Sequence, residues 1–146
     1  MEKFKGALVV GFLRLFALLP WRAVQAVGAA IGWLMWKLPN RSREVARVNL
    51  AKCFPALSAV EREALLGRAL MDIGRTFTES ACAWIWPAQK SIDLVREVEG
   101  LDVLEAALAS GKGVVGITSH LGNWEVLNHF YCAQCKPIIF YRPPKL

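Results

Sequence analysis

The first forty residues contain two apolar stretches separated by Pro20-Trp21-Arg22. Residues 6–19 are apolar except for one arginine, and residues 23–38 are apolar except for one glutamine and one lysine. Neither stretch is the unbroken run of about 18 or more apolar residues that a spanning helix requires. We expect residues 1–40 to be a membrane-anchoring helical segment that lies in, or dips into, the cytoplasmic leaflet.

Two other interpretations of this segment stay open. A pair of helices buried in a soluble core would have the same apolar content. A signal peptide would use Lys3 and Lys5 as its charged start and the following apolar residues as its core, but Arg14 inside that core argues against cleavage.

Positive charges flank the segment on both sides, which places both of its ends on the cytoplasmic face by the positive-inside rule.

After residue 40 the pattern changes to amphipathic helices. Arg43 to Lys52 predicts a short basic helix, and Ser58 followed by Glu61 is a capping box that starts a longer one. This longer helix is predicted to continue to about Thr78 or beyond. Its predicted apolar stripe comprises Leu65, Leu66, Ala69, Leu70, Ile73 and Phe77.

Shorter elements follow a break at Trp84–Pro87. Its two tryptophans fit either core packing or the lining of a lipid groove. Val95 to Val98 is compatible with a short strand. Leu101 to Ala109 predicts a compact helix, and Gly111 fits its C-terminal cap.

The last part of the chain predicts a strand, a helix and a second strand. Val114–Thr118 has the β-branched composition of a buried parallel strand, residues 123–134 have a helical pattern, and Pro137–Tyr141 is the next strand. The expected fold class is therefore α/β, with N-terminal membrane-associated helices followed by the first part of a sheet with flanking helices. Two or three strands leave a sheet edge uncovered, so we expect residues 41–146 to be the N-terminal portion of an α/β domain whose C-terminal part is missing.

Charge is concentrated at the front of the chain. The chain of 146 residues has a net charge of +6, is 55% hydrophobic and contains six tryptophans. Residues 1–52 contain nine lysines and arginines against two glutamates, whereas the rest is nearly neutral. This distribution favours an anionic membrane surface over nucleic acid, which would require basic and aromatic residues interleaved across the folded body.

The four cysteines do not form a pattern with a clear function. A chain this apolar does not need a disulfide framework, so reduced thiols are expected. Cys132 and Cys135 have a redox-like or zinc-like spacing, but they close a helix rather than open one, and only His129 is near enough in sequence to help bind a metal. We interpret them as buried small hydrophobic residues.

The candidate chemistry lies at His120 and Glu125. His120 follows the predicted strand at its carboxyl end, where open α/β sheets carry reactive groups, and Glu125 begins the following helix. Held by the carboxylate, the imidazole could remove a proton from a hydroxyl group. Gly122 would allow close approach of a ligand. The alternatives are a half-buried histidine beside a helix-capping glutamate, or a metal site that uses Glu125 and His129.

The surrounding sequence resembles a known family. Thr118–Glu125, Thr-Ser-His-Leu-Gly-Asn-Trp-Glu, is similar to the HX4(D/E) block of the bacterial lipid A biosynthesis acyltransferases, which belong to the lysophospholipid acyltransferase superfamily. Further similar segments, in the same order, are Leu18–Trp21, Arg47–Pro55 with Leu57, Ser58, Glu61 and Arg62, then Gly100, Ala109–Gly113 and Tyr141–Lys145.

The resemblance implies an O-acyltransferase. An acyl chain would pass from acyl carrier protein to a hydroxyl of a lipid A precursor at the cytoplasmic face of the cell inner membrane, without a covalent acyl-enzyme, a cofactor or a metal. It implies that His120 is the base and Glu125 orients it. Gly122, Asn123 and Arg142 are the candidate substrate-binding residues. A related acyltransferase for another glycolipid or a lysophospholipid, or an inactive membrane-attached fragment, are the alternatives.

Overall fold

The computed structural model describes residues 2–140, and the side chains from residue 6 onward. In this range the chain forms seven helices and no strand. They are α1 (Glu2–Phe16), α2 (Trp21–Lys37), α3 (Arg41–Cys53), α4 (Ala59–Ile85), α5 (Ala88–Ile92), α6 (Leu101–Ala109) and α7 (Trp124–Gln134). The chain divides into two compact units, one up to Trp86 and one from Pro87 onward. The predicted boundary between residues 40 and 41 stays a prediction.

Local sequence signals set the helix starts as predicted. The Ser58 hydroxyl accepts a hydrogen bond from the backbone N–H of Glu61, and the Glu61 carboxylate accepts one from the backbone N–H of Ser58 over 2.7 Å. Hydrogen bonding to the Glu61 carboxylate, first by the side chain and then by the backbone of Ser58, holds the pKa of Glu61 below its usual value. The capping box and the predicted helix at Leu101–Ala109, with Gly111 at φ 69° behind it, are both confirmed.

In the first unit, α2 and α4 pack closely because glycines line their crossing. Gly28 and Gly32 on α2 and Gly74 on α4 are all buried. A Cβ placed on Gly28 would lie 2.6 Å from the Cα of Arg75, and one placed on Gly74 would lie 2.8 Å from the backbone nitrogen of Gly32. Such close approach between two helix backbones is possible only where side chains are absent.

Polar side chains hold the same two helices in register. The buried Thr78 hydroxyl lies 3.1 Å from the carbonyl oxygen of Val24 on α2 and 2.9 Å from that of Arg75 on its own helix. At the other end of the crossing, the indole N–H of Trp36 donates to the Glu63 carboxylate over 2.9 Å. The buried Thr78 hydroxyl favours this pairing of the helices, because an alternative register would remove its contact with α2.

The core of the first unit lies where α1, α2 and α4 meet. Ala17, Val24 and Cys82 are buried there, with Phe16, Trp21, Ile85 and Trp86 packed around them. The Trp86 indole N–H donates to the carbonyl oxygen of Ala17 over 2.9 Å. Of the two interpretations offered for the tryptophans near Pro87, core packing holds for Trp86, whereas 58% of Trp84 is exposed.

The predicted apolar stripe of α4 is partly wrong. Leu66 and Leu70 are buried, but Ile73 is 51% exposed and Phe77 is 69% exposed. The buried face continues instead through Gly74 and Thr78. The physical reason is the close crossing with α2, which admits small residues and turns the larger apolar side chains outward.

The predicted sheet does not form among the described residues. The segment 113–119 and the described part of the second predicted strand, residues 137–140, have no strand pairing, and Val95–Val98 has none either. Ladder hydrogen bonds require a neighbouring strand, which these segments do not find within residues 2–140. Their large apolar side chains are therefore exposed, with Val115 at 91% and Ile117 at 95%.

The N-terminal helices expose much apolar surface. No single described helix has both the length and the apolar character needed to cross a bilayer; α1 from Gly6 and α2 satisfy that test only as a pair, bent by 120°. On α1, Leu8, Phe12 and Leu15 are each about two-thirds exposed, at 65%, 65% and 68%. In contrast, α2 packs one face on α4 but exposes Trp33 and Leu34, so the membrane anchor and the pair of core helices both stay predictions.

Candidate active site at the start of helix α7

Asn123 builds the start of α7. Its side-chain oxygen accepts hydrogen bonds from the backbone N–H groups of Glu125, over 3.2 Å, and Val126, over 3.3 Å. This is the ordinary N-cap arrangement, in which a short polar side chain satisfies amides that have no partner within the helix. The predicted helix at residues 123–134 is thus confirmed with Asn123 as its cap.

Gly122 makes the turn that leads into this cap. Its φ is 69°, in the left-handed region that glycine adopts freely and other residues rarely adopt. A Cβ at this position would meet no atom within 4 Å, so the requirement for glycine comes from the backbone conformation rather than from space. The surroundings of Gly122 are open enough for a ligand to approach.

His120 is exposed and lies against Trp124. The centroids of the two rings are 4.8 Å apart with an interplanar angle of 63°, an edge-to-face contact. Because Trp124 is the first residue of α7, this contact places the imidazole beside the helix N-terminus. The amide groups there carry partial positive charge, which favours negative charge that develops nearby.

No hydrogen bond or ion pair joins His120 to Glu125 in the described part of the chain. Glu125 is half-buried in the first turn of α7, where its negative charge complements the helix dipole. The structure thus brings His120, Trp124 and the capped helix start together. The His120–Glu125 pair remains a prediction.

The metal alternative gains no support from the described residues. No group of three or more histidine, cysteine, aspartate or glutamate side chains among them could hold a metal ion. His129 lies on α7 with its Nδ1 atom buried and without a hydrogen-bond partner in the described structure.

The interpretation of the cysteine pair as buried residues is wrong in part. Cys135 is half-buried and caps the C-terminus of α7, but Cys132 is exposed. Both thiols are free, and so are those of the exposed Cys53 and the buried Cys82. Cys132 is exposed together with residues 133 and 134, so the end of α7 buries none of its last three residues. The third candidate substrate-binding residue, Arg142, lies outside the described residues.

A groove of about 390 Å³ opens beside the start of α7. Asn123 lies at its edge, so the groove and the capped helix start are contiguous. The carboxylate-bearing residues Glu97 and Glu99 contribute to its rim. Its apolar walls come from the segment before α6, from α6 and from α7, with Val95, Val98, Leu101, Leu104, Val126 and Phe130 among them.

Sequence reasoning did not identify this groove. A signal was present, because Val126, Leu127 and Phe130 lie on one side of α7 at helical spacing directly after Glu125. The composition of Val95–Val98 predicts a strand, so the sequence gives no indication of the other wall. The volume of the groove, about 390 Å³, is at the lower end of the range typical of small-molecule sites.

Comparison with known proteins agrees with the motif. Residues 2–145 match the family model described as bacterial lipid A biosynthesis acyltransferase. The chain is 33% identical over 135 residues to the lipid A biosynthesis palmitoleoyltransferase of Escherichia coli K12, which covers 92% of this chain and 44% of that protein. It is 27% identical over 134 residues to the lauroyltransferase of the same organism, again over 92% of this chain and 44% of the relative.

A third relative, the lipid A biosynthesis acyltransferase of Haemophilus influenzae, is 33% identical over 110 residues, which is 74% of this chain and 35% of the relative. No solved structure matches the chain. The chain therefore spans less than half the length of the curated relatives that it matches. Because the family model matches residues 2–145, which is nearly the whole of the chain, this chain belongs to the bacterial lipid A biosynthesis acyltransferase family.

Proposed function

We propose that the complete protein transfers a fatty acyl chain from acyl carrier protein to a hydroxyl group of a lipid A precursor, at the cytoplasmic face of the inner membrane. The observation that carries the proposal is the position of His120, exposed beside the capped start of α7 and next to an apolar groove, in a chain of this family. The names of the relatives support lipid A as the acceptor class.

In the proposed reaction His120 acts as the general base. Its free imidazole nitrogen takes the proton of the acceptor hydroxyl as the oxygen attacks the acyl carbonyl carbon. The bond between that carbon and the sulfur of acyl carrier protein then breaks, and the proton passes from the imidazolium to the departing sulfur. The enzyme needs no nucleophile of its own, because the acceptor supplies one.

Glu125 is proposed to orient His120 and to stabilise the imidazolium that forms. The two residues lie on either side of a tight turn, at Gly122 and Asn123, and both are at the N-terminus of α7. Catalytic hydrogen bonds often tighten only when substrate binds, so this role does not require His120 and Glu125 to be hydrogen-bonded beforehand.

The unpaired apolar segments support an α/β sheet in the complete protein. Val115, Ile117, Ile138 and Phe140 are each more than 90% exposed, at 91%, 95%, 94% and 101%. Exposure of so much apolar surface is unfavourable, by about 25 cal/mol for each Å². Pairing and burial of these segments would remove that cost and would fix His120 at the carboxyl end of a strand.

The exposed apolar residues of α1 and α2 support the proposed membrane location. Apolar side chains exposed beside basic residues are typical of helices that lie in the lipid interface. Nothing in the proposed reaction requires these helices to span the bilayer, because donor and acceptor would both be reached from the cytoplasmic face.

Acyl transfer by the full-length protein, measured with acylated acyl carrier protein and a lipid A precursor, tests the proposal. His120→Ala is expected to lower the rate by about a hundredfold to ten-thousandfold, as for loss of a general base. His129→Gln is the matched control, since His129 is the second histidine of the chain and is expected to leave the rate within a few-fold. Equal rates for wild type and a folded His120→Ala variant would remove the base role, and transfer to lysophospholipid instead of the lipid A precursor would overturn the acceptor.

A further inference from the structure

Helix α3 has two faces with different surroundings. Its half-buried residues, Arg43, Ala46, Arg47 and Leu50, form one side of the helix. That side meets α4, because Arg47 lies 3.3 Å and Arg43 lies 3.8 Å from the carboxylate of Glu63. The packing of α3 in the first unit therefore uses one face only.

The opposite face is a stripe of two valines between two cations. At 100° for each residue, Arg41, Val45, Val48 and Lys52 fall within an arc of about 60° around the helix axis. All four are exposed, Val45 by 50% and Val48 by 52%. We refer to Arg41, Val45, Val48 and Lys52 as the outer stripe. Phe54, directly after α3, is also 46% exposed.

The outer stripe has unneutralised positive charge. Glu44, the acidic residue of α3, pairs with Arg47 over 2.7 Å, and these contacts with Glu44 and then Glu63 raise the pKa of Arg47. In contrast, neither Arg41 nor Lys52 forms an ion pair within the described structure. The charges on the inner side are thus balanced, and those on the outer stripe are available to an external anion.

We propose that the outer stripe of α3 binds the surface of an anionic phospholipid membrane. This proposal rests on the proposed membrane location but adds a contact separate from the predicted anchor at residues 1–40. The helix lies parallel to the surface, Val45 and Val48 enter the boundary between headgroups and acyl chains, and Arg41 and Lys52 bind lipid phosphates.

Two observations favour a lipid surface over an acidic protein. The stripe exposes apolar area between its cations. A membrane interface accepts such a surface without a specific fit, whereas an acidic protein would need a complementary apolar pocket. The first unit also exposes further apolar side chains on α1 and α2. An acidic partner such as acyl carrier protein is the competing outcome of the test.

The test is binding of the complete protein to vesicles of phosphatidylcholine alone and of phosphatidylcholine with about 30% phosphatidylglycerol, at low and at high salt. Wild type is expected to prefer the anionic vesicles. In the double variant R41Q/K52Q, the ratio of affinities for anionic over neutral vesicles is expected to fall about fivefold for each charge removed. The variant V45S/V48S is expected to bind both kinds of vesicle several-fold more weakly.

Matched variants outside the stripe provide the controls. R68Q/K112Q removes the same charge from exposed positions, and V60S/V103S removes two valines that are 80% and 68% exposed. Neither is expected to alter binding beyond about twofold. An R41Q/K52Q variant that keeps the full anionic preference, or loses binding to acyl carrier protein instead, overturns the proposal. Because the readout is binding, loss of acyl transfer in the His120→Ala variant has no bearing on it.

Discussion

The imidazole of His120 meets the indole of Trp124 edge to face, with ring centroids 4.8 Å apart. Trp124 is anchored as the first residue of a helix that Asn123 caps, so it provides a fixed surface for an otherwise exposed histidine. The contact that orients the imidazole in the structure is therefore the one with this aromatic neighbour. In the proposed reaction, Trp124 is accordingly a positioning residue rather than a catalytic one.

Trp124→Ala is expected to lower acyl transfer by about tenfold to a hundredfold, because small displacements of a catalytic group cost rate steeply. Trp124→Phe retains an aromatic ring at the same place and is expected to restore most of the rate. The loss should fall on kcat with KM little changed, measured in the full-length enzyme. A Trp124→Ala variant with the kcat of wild type would show that the ring contact does not hold His120.

Asn123 is expected to contribute through its cap. Asn123→Ala removes the acceptor for the backbone N–H groups of Glu125 and Val126, which is expected to destabilise the protein by about 1 kcal/mol. Asn123→Asp keeps the acceptor oxygen and should cost little. Urea unfolding of the three proteins, followed by far-ultraviolet circular dichroism, measures the difference. Equal losses from alanine and aspartate would assign the effect to another contact of the amide group.

The helices were predictable because their signals are local. The capping box at Ser58 and Glu61, and the helix at Leu101–Ala109 with Gly111 after it, depend on residues within a few positions of each other. The face that α4 buries was less predictable. It depends on the crossing with α2, about 40 residues away in sequence, where glycine positions outweigh the larger apolar side chains.

The strands and the candidate site depend on contacts that are not local. The composition of Val114–Thr118 favours a strand, yet a strand exists only where another pairs with it, and none does so within residues 2–140. The motif identified His120 and its neighbours in the sequence, but it did not predict which side chains are in contact. Sequence spacing could not reveal that the imidazole of His120 contacts Trp124, the residue directly before Glu125 in the sequence.

The glycine crossing predicts a strong effect of a small substitution. Gly74→Ala would place a methyl group against the backbone of α2, where no flexible side chain can move aside. We expect a loss of about 1–3 kcal/mol in the free energy of unfolding, as for overpacking of a tight core. Gly11→Ala is the control, because a Cβ there meets nothing within 4 Å and alanine favours a helix. Denaturant titration should show the two variants shifting in opposite directions.

Glu63 predicts a pH dependence of stability. Its hydrogen bond from Trp36, and then those from Arg47, hold the pKa of the carboxyl below its ordinary value of 4.5. The unfolded chain thus binds a proton more readily, so the stabilisation is present above about pH 4.5 and is lost as the pH falls through the lower pKa of the folded state. Glu63→Gln keeps an oxygen for Trp36 but removes the charge.

The Glu63→Gln variant should therefore be less stable than wild type at pH 7 and should approach it as the pH falls below 4.5. Urea midpoints measured between pH 7 and pH 3 compare the two proteins. Glu105→Gln removes an exposed carboxylate of α6 and serves as the control, with parallel curves expected. A constant difference between Glu63→Gln and wild type over the whole range would contradict the role of the ion pairs with Arg47 and Arg43.

Trp86 predicts how α1 is attached to the rest of the first unit. Its indole N–H donates to the carbonyl oxygen of Ala17, directly after α1, and its ring packs on Trp21 with centroids 5.8 Å apart. Trp86→Phe removes the donor and part of the ring, and leaves that carbonyl without this partner. Loss of a hydrogen bond and of packing area is expected to cost about 1–3 kcal/mol.

Trp84→Phe makes the same chemical change two residues earlier, where the side chain is 58% exposed and its loss should cost less than about 0.5 kcal/mol. Hydrogen exchange distinguishes local from global effects. In Trp86→Phe, the amides of α1 should exchange faster than those of α4, because the contact at Ala17 holds the end of α1 against the core. If α1 and α4 lose protection equally, or if both tryptophan variants behave alike, the hydrogen bond between Trp86 and Ala17 does not secure the helix.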